Sequence, residues 1–139
     1  MSESTFFFEV LTPERCFFSG EIEALTFTAS DGEWTILKGH APMIAVLRAG
    51  TVKMKIDGEW KEAINSEGYM EIAQSGTILF TQTCEWPEEV DINEAQREKM
   101  MAEEALRQSR SQNEYRTSQI MMARAMARLR KGGKKINLD

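Results

Sequence analysis

A chain of 139 residues, 42% hydrophobic and 28% charged, has room for one ordinary domain, or a small domain with an appendage, and the composition of a soluble globular protein. Its longest uncharged apolar run, Met43 to Leu47, is far too short to span a bilayer, which excludes membrane insertion by a helix. The opening "MSESTFFFEV" carries Glu3 and Glu9 and no early Lys or Arg, so it lacks the pattern of a secretory signal, and the expected compartment is the cytoplasm.

In chain order, the first 85 residues read as short strands separated by turn residues: "TFFFEVL", "CFFSG", "EIEALTFT", "TVKMKI", "YMEIA" and "TILFTQT". In "TVKMKI", Val52, Met54 and Ile56 share one face while Thr51, Lys53 and Lys55 share the other, as a half-buried strand requires. Asp57-Gly58 follows at once, a pair suited to the positive φ angles of a tight hairpin turn. With no helix-length segment between them, these strands predict an antiparallel sandwich or barrel. Cys16 and Cys84, far apart in strand-like surroundings, are expected to be reduced and half-buried.

After "WPEEVD" the period becomes helical. Asp91 is an able N-cap, with Glu94 at the spacing of a capping box. No Gly or Pro occurs from Ile92 until Gly132, and the Ala, Met, Glu, Arg and Gln that dominate all favour helix. Ile92, Ala95, Ala102, Ala105 and Leu106 form one apolar stripe, and Tyr115, Met122, Ala125, Met126 and Leu129 a second. "QSRSQNE" (108–114) between them is the expected turn of a two-helix hairpin, one continuous helix being the alternative. The fold class is therefore α+β, with a sandwich over 1–87 and a helical hairpin over 88–139. Small alanines and adaptable methionines bury little area each, which makes the hairpin detachable.

The net charge of −5 hides a split. Residues 1–91 carry six basic against 16 acidic side chains, and residues 92–139 carry 11 basic against 6 acidic. Arg124, Arg128, Lys131 and Lys135 recur at spacings of four, three and four, on one face of a helix continuing through Gly132-Gly133 or on two faces of a frayed end. A solvated helix face and a partner-binding face are both compatible with this run. A nucleic-acid binder is disfavoured, because the whole chain is acidic and Tyr115 is the one aromatic residue after Asp91. A small enzyme or sugar-binding module would need a cleft with convergent polar groups.

No metal-ligand spacing, nucleophile motif or glycine-rich phosphate loop is present in the sequence. His40, the single histidine, sits in "KGHAP" between Gly39 and Ala41-Pro42, where turn formers suit a scaffold that presents a surface rather than a chemical group.

The stretch "GEWTILKGHAP" (32–42) resembles the "GExGILPGHAP" hallmark of the epsilon subunit of bacterial F-type ATP synthase. "FFFEVLTPERCFFSGEIEALTF" near the start, "EGYMEI" (67–72) and "EEVDINEA" (88–95) are similar to further family segments in the same order, so the resemblance covers essentially the whole chain. Thr35 and Lys38 depart from a usual glycine and proline. The resemblance implies a ten-stranded sandwich followed by two helices, in a non-catalytic rotor subunit peripheral to the cytoplasmic face of the cell membrane. It implies docking on the gamma subunit and the c-ring through a loop containing Glu33, Lys38, Gly39, His40 and Pro42. It further implies a basic helix (Arg124, Arg128, Arg130, Lys131) that meets the alpha and beta subunits and inhibits ATP hydrolysis. Some family members bind ATP, and the corresponding positions here are Glu85, Asp91, Ala95, Arg124 and Arg128. Glu94 replaces the motif's arginine, setting an anion beside a polyanionic ligand, so no cofactor is expected.

Overall fold

The computed structural model describes residues 4–133. Nine strands precede two helices: β1 (Phe6–Leu11), β2 (Cys16–Ile22), β3 (Ala24–Ala29), β4 (Gly32–Ile36), β5 (Met43–Ile56), β6 (Glu59–Asn65), β7 (Gly68–Ala73), β8 (Gly76–Thr81) and β9 (Cys84–Glu85), then α1 (Ile92–Gln108) and α2 (Gln112–Lys131). A short 3-10 turn, Pro87–Glu89, joins the two parts.

Strand alternation builds the sandwich. Phe8 and Val10 of β1, Met70 of β7 and Leu79 of β8 point inward from one layer, and Leu25, Phe27, Val52 and Met54 meet them from the other. Burying a side chain of this size contributes about 1.5–3 kcal/mol. No residue of either helix belongs to this core cluster. Asp57 (φ 52°) and Gly58 (φ 80°) both take positive φ and close the β5–β6 hairpin, as their pairing predicts. The β1–β2 turn is closed by Thr12, whose N–H donates to Arg15 O at 2.9 Å and whose hydroxyl accepts from the N–H groups of Glu14 and Arg15.

Two features depart from the simplest antiparallel expectation. The pairing order is β2-β1-β8-β7-β5-β3-β4, with β6 on β5 and β9 on β6, and within it β1 and β8 run parallel. The 14-residue β5 serves both layers: Met43–Leu47 pairs with β7, whereas Gly50–Ile56 pairs with β6. A strand that changes layers in this way counts once, which is why nine strands stand where ten were expected.

The helices form the antiparallel hairpin. Asp91 caps α1, its Oδ1 accepting from Glu94 N–H at 3.1 Å, and Ser111 caps α2 by accepting from Glu114 N–H. The turn falls at 109–111, inside the predicted stretch. Ala95 and Ala102 of α1 and Ser118 and Ala125 of α2 are buried, and such small side chains let two helices approach closely. Ile92, Tyr115 and Met126, read as stripe residues, are exposed instead. For Met126 the reason is that α2 faces two surfaces on either side of it: Ala125 is buried, while Ala127 clusters with Ile64 and Val90 of the sandwich and junction. α2 ends at Lys131 rather than continuing through the glycines. Gly133, with φ 74°, turns its N–H to Pro87 O at 2.7 Å, and a Cβ on Gly132 would lie 2.5 Å from Val90. Lys135 lies outside the described residues.

Candidate functional site

The loop after β4 is held by its own backbone. His40 N–H donates to Leu37 O at 3.1 Å across Gly39, whose φ of 87° favours glycine. His40 Nδ1 is 2.8 Å from Ala41 O, and because a carbonyl only accepts, this nitrogen carries the proton. The imidazole meets Trp34 edge-on, with centroids 6.5 Å apart. Lys38, Gly39 and Pro42 are exposed, and Lys38, Gly39 and His40 border an open cavity of about 470 Å³ together with Glu21 and Gln74. Glu33 is separate. It sits at the far end of β4 and lines another groove with Thr35, Lys53, Glu62 and Lys131.

Three basic residues of α2, Arg124, Arg128 and Lys131, turn toward the sandwich. Arg124 holds both carboxylate oxygens of Glu67, with Nε donating at 2.8 Å, and Lys131 Nζ lies 3.4 Å from Glu62 Oε2. Between them, Arg128 donates to Glu85 of β9 through Nε at 2.9 Å, to Glu98 at 2.7 Å and to Glu94 at 3.0 Å. Its side chain is only 14% exposed. Positions 124, 128 and 131 thus share one face, as their spacing implies, while Arg130 is exposed.

Electrostatics follow this geometry. The hydrogen bond from Arg124 holds the Glu67 carboxyl below the usual carboxylate range against the opposing effect of burial, and Glu67 in turn raises Arg124. Burial works against the Arg128 charge, but its three carboxylates outweigh it and the group is raised. Burial also opposes the ionisation of Glu89, yet the Trp86 N–H and Arg15 lower it. Asp91 is engaged as the cap and Ala95 is buried between the helices, so of the five positions compared with an ATP site, Glu85 and Arg128 meet directly. Both cysteines are free: burial pushes the Cys84 thiol up to about 12, whereas Cys16 is exposed rather than half-buried.

A third surface was not singled out from sequence. By register, Val46, Tyr69, Phe80 and Leu11 form one row across β5, β7, β8 and β1, and Ile44, Glu71, Ile78 and Glu9 form the next. Ile44 is 68% exposed, Val46 61% and Tyr69 50%. Tyr69 stacks on Phe80 with centroids 5.0 Å apart, beside a groove of about 620 Å³ that Leu11 and Pro13 also line. The alternation that fills the core places these side chains outward, and that was the available signal. The first row is apolar throughout, whereas the second alternates Ile44 and Ile78 with Glu71 and Glu9.

Sandwich, hairpin and open apolar face together define a two-part accessory subunit. Residues 5–87 match the family described as "ATP synthase, Delta/Epsilon chain, beta-sandwich domain" and residues 88–131 its "long alpha-helix domain". The chain belongs to the ATP synthase delta/epsilon family, and within it to the epsilon chains. It is 47% identical to the ATP synthase epsilon chain of Ruminiclostridium cellulolyticum, over 91% of this chain and 94% of that one. With the epsilon chain of Caldanaerobacter subterraneus the identity is 43%, over 92% and 94%. The fold is also similar to a chain in the cryo-EM structure of the Euglena gracilis mitochondrial ATP synthase OSCP/F1/c-ring, with a TM-score of 0.73 at 17% identity, covering 88% of this chain and 78% of that one. Among the described residues, no helix is long and apolar enough to cross a membrane.

Proposed function

We propose that the chain is a non-catalytic rotor subunit that joins the gamma subunit to the c-ring and restrains ATP hydrolysis with its helices. Its place is peripheral, at the cytoplasmic face of the cell membrane. The observation that carries this reading is the row of Val46, Tyr69, Phe80 and Leu11, apolar throughout, exposed at Val46 and Tyr69 and bordering an open groove, a surface fit for gamma. The Lys38–Pro42 loop, presented by the backbone around Gly39 and His40, supplies the end that meets the ring. Arg124, Arg128 and Lys131 are engaged with sandwich and α1 carboxylates, so the described form stores the basic face, and inhibition requires exchanging those partners for acidic groups of the alpha and beta subunits. ATP finds no vacant cation at Arg128.

The test is co-purification of gamma with a tagged chain. Tyr69→Glu or Val46→Glu buries a carboxylate in the contact, which costs several kcal/mol unless it is paired, so gamma recovery is expected to fall at least about tenfold while the variants stay folded. Undiminished gamma recovery with both variants would place the contact elsewhere.

A further inference from the structure

Arg128 lies where three elements meet. Its guanidinium holds Glu85 on the sandwich with Nε at 2.9 Å and Nη2 at 3.2 Å, and Glu98 and Glu94 on α1 with Nη1 and Nη2 at 2.7 and 3.0 Å. One side chain of α2 therefore supports two distinct interfaces, α2 on the sandwich and α1 on α2. The neighbouring cations do not share this arrangement. Arg124 hydrogen-bonds Glu67 and Lys131 pairs with Glu62, both on the sandwich side, and Arg124 feels Glu98 of α1 only through its charge.

The fully buried apolar contribution at both interfaces is small. The cluster joining α2 to the sandwich is Ile64, Val90 and Ala127, and the buried residues between the helices are alanines and one serine. With so little apolar area, charge-assisted hydrogen bonds carry a large share of each contact. Arg128 is also the least exposed of the paired basic residues of α2, so solvent screens its bonds least.

We propose that Arg128 is a shared fastener that makes closure of the helical pair and seating of the pair on the sandwich a single event. A guanidinium suits this role because its planar fork holds several carboxylates at once, whereas an ammonium is a point charge. When Arg128 leaves Glu85, the group that positions α1 through Glu94 and Glu98 loses its anchor. The hairpin then opens and undocks together.

Segment-resolved amide exchange on the full chain tests this. Amides of α1 report pairing of the helices, and amides of β6 and β9 report seating of α2. Arg128→Gln is expected to speed exchange in both sets by about tenfold or more, the factor one or two charge-assisted hydrogen bonds supply. Arg124→Gln is expected to speed β6 and β9 and to change α1 far less than Arg128→Gln does, because its link to Glu98 is through charge alone. Arg128→Lys is expected to fall between the parent and Arg128→Gln in both sets. Against the chance that Arg128→Gln unfolds the helices outright, Glu85→Gln is the second variant: removing a sandwich carboxylate that α1 never touches is expected to speed α1 as well. The proposal is overturned if Arg128→Gln moves only one set, or if Glu85→Gln leaves α1 unchanged.

Discussion

Glu94 shows how one residue can be read correctly for its charge and incompletely for its partner. At capping-box spacing from Asp91, it was expected to bond back to the cap, but only half of that arrangement forms: Asp91 accepts from the Glu94 N–H while the Glu94 carboxylate turns to Arg128. The anion completes a ring of three around one cation, so its effect on a nucleotide goes beyond repulsion. A phosphate would have to displace Glu85, Glu94 and Glu98 from Arg128, and Glu67 from Arg124. Calorimetric titration of the full chain with ATP at physiological salt is therefore expected to show no binding tighter than about millimolar, or −4 kcal/mol. Micromolar binding would mean that these pairs yield readily. His40 was legible as turn architecture from Gly39 and Pro42, and its Nδ1 is committed to a backbone carbonyl. Glu67 and Glu98 were not legible as partners, because a pair 57 residues apart, as Arg124 and Glu67 are, leaves no local pattern.

At the scale of elements, what the sequence specifies locally came through. The Asp57-Gly58 turn, the Asp91 cap and the interruption near Ser111 each rest on a few adjacent residues, and each forms. What depends on distant pairing did not: the parallel β1–β8 contact, the double use of β5 and the exposure of Met126 are set by how the elements meet. The junction between sandwich and hairpin has its own pH response. Glu67 is lowered in the folded chain by its hydrogen bond from Arg124, and Glu89 is lowered by the Trp86 N–H and Arg15 against the effect of burial. A carboxylate lowered on folding stabilises the fold fully above its unfolded value, and that stability is lost as pH falls through the lowered native value. Glu67 and Glu89 are both partly exposed, so the effect is modest. Acidification below the unfolded carboxylate value of 4.5 is expected to lower the amide protection factors of α2, taken relative to the intrinsic exchange rate at each pH, before those of the sandwich strands, and Glu67→Gln should flatten that dependence. Simultaneous loosening of sandwich and helices would show that the junction does not titrate separately.

The whole molecule is a sandwich with a self-sufficient core and a hairpin fastened to it largely by charge. The core cluster contains no helix residue, so a chain ending at Glu89 retains it, along with the Val46–Tyr69 surface proposed for gamma. In the role proposed above, Arg124, Arg128 and Lys131, now paired with Glu67, Glu85 and Glu62, exchange these partners for acidic groups of the catalytic subunits. Partly exposed ion pairs contribute about 0.2–1 kcal/mol each, enough for three of them to bias such an exchange but not to fix it. The most direct test is the rate of ATP hydrolysis by the assembled complex, measured with the full chain, with the chain ending at Glu89, and with Arg124, Arg128 and Lys131 all changed to Glu. Both altered chains are expected to assemble normally and to raise hydrolysis about threefold or more, and added salt is expected to raise the parental rate toward theirs. Parental rates in both altered complexes, with assembly intact, would contradict the proposed restraint of hydrolysis.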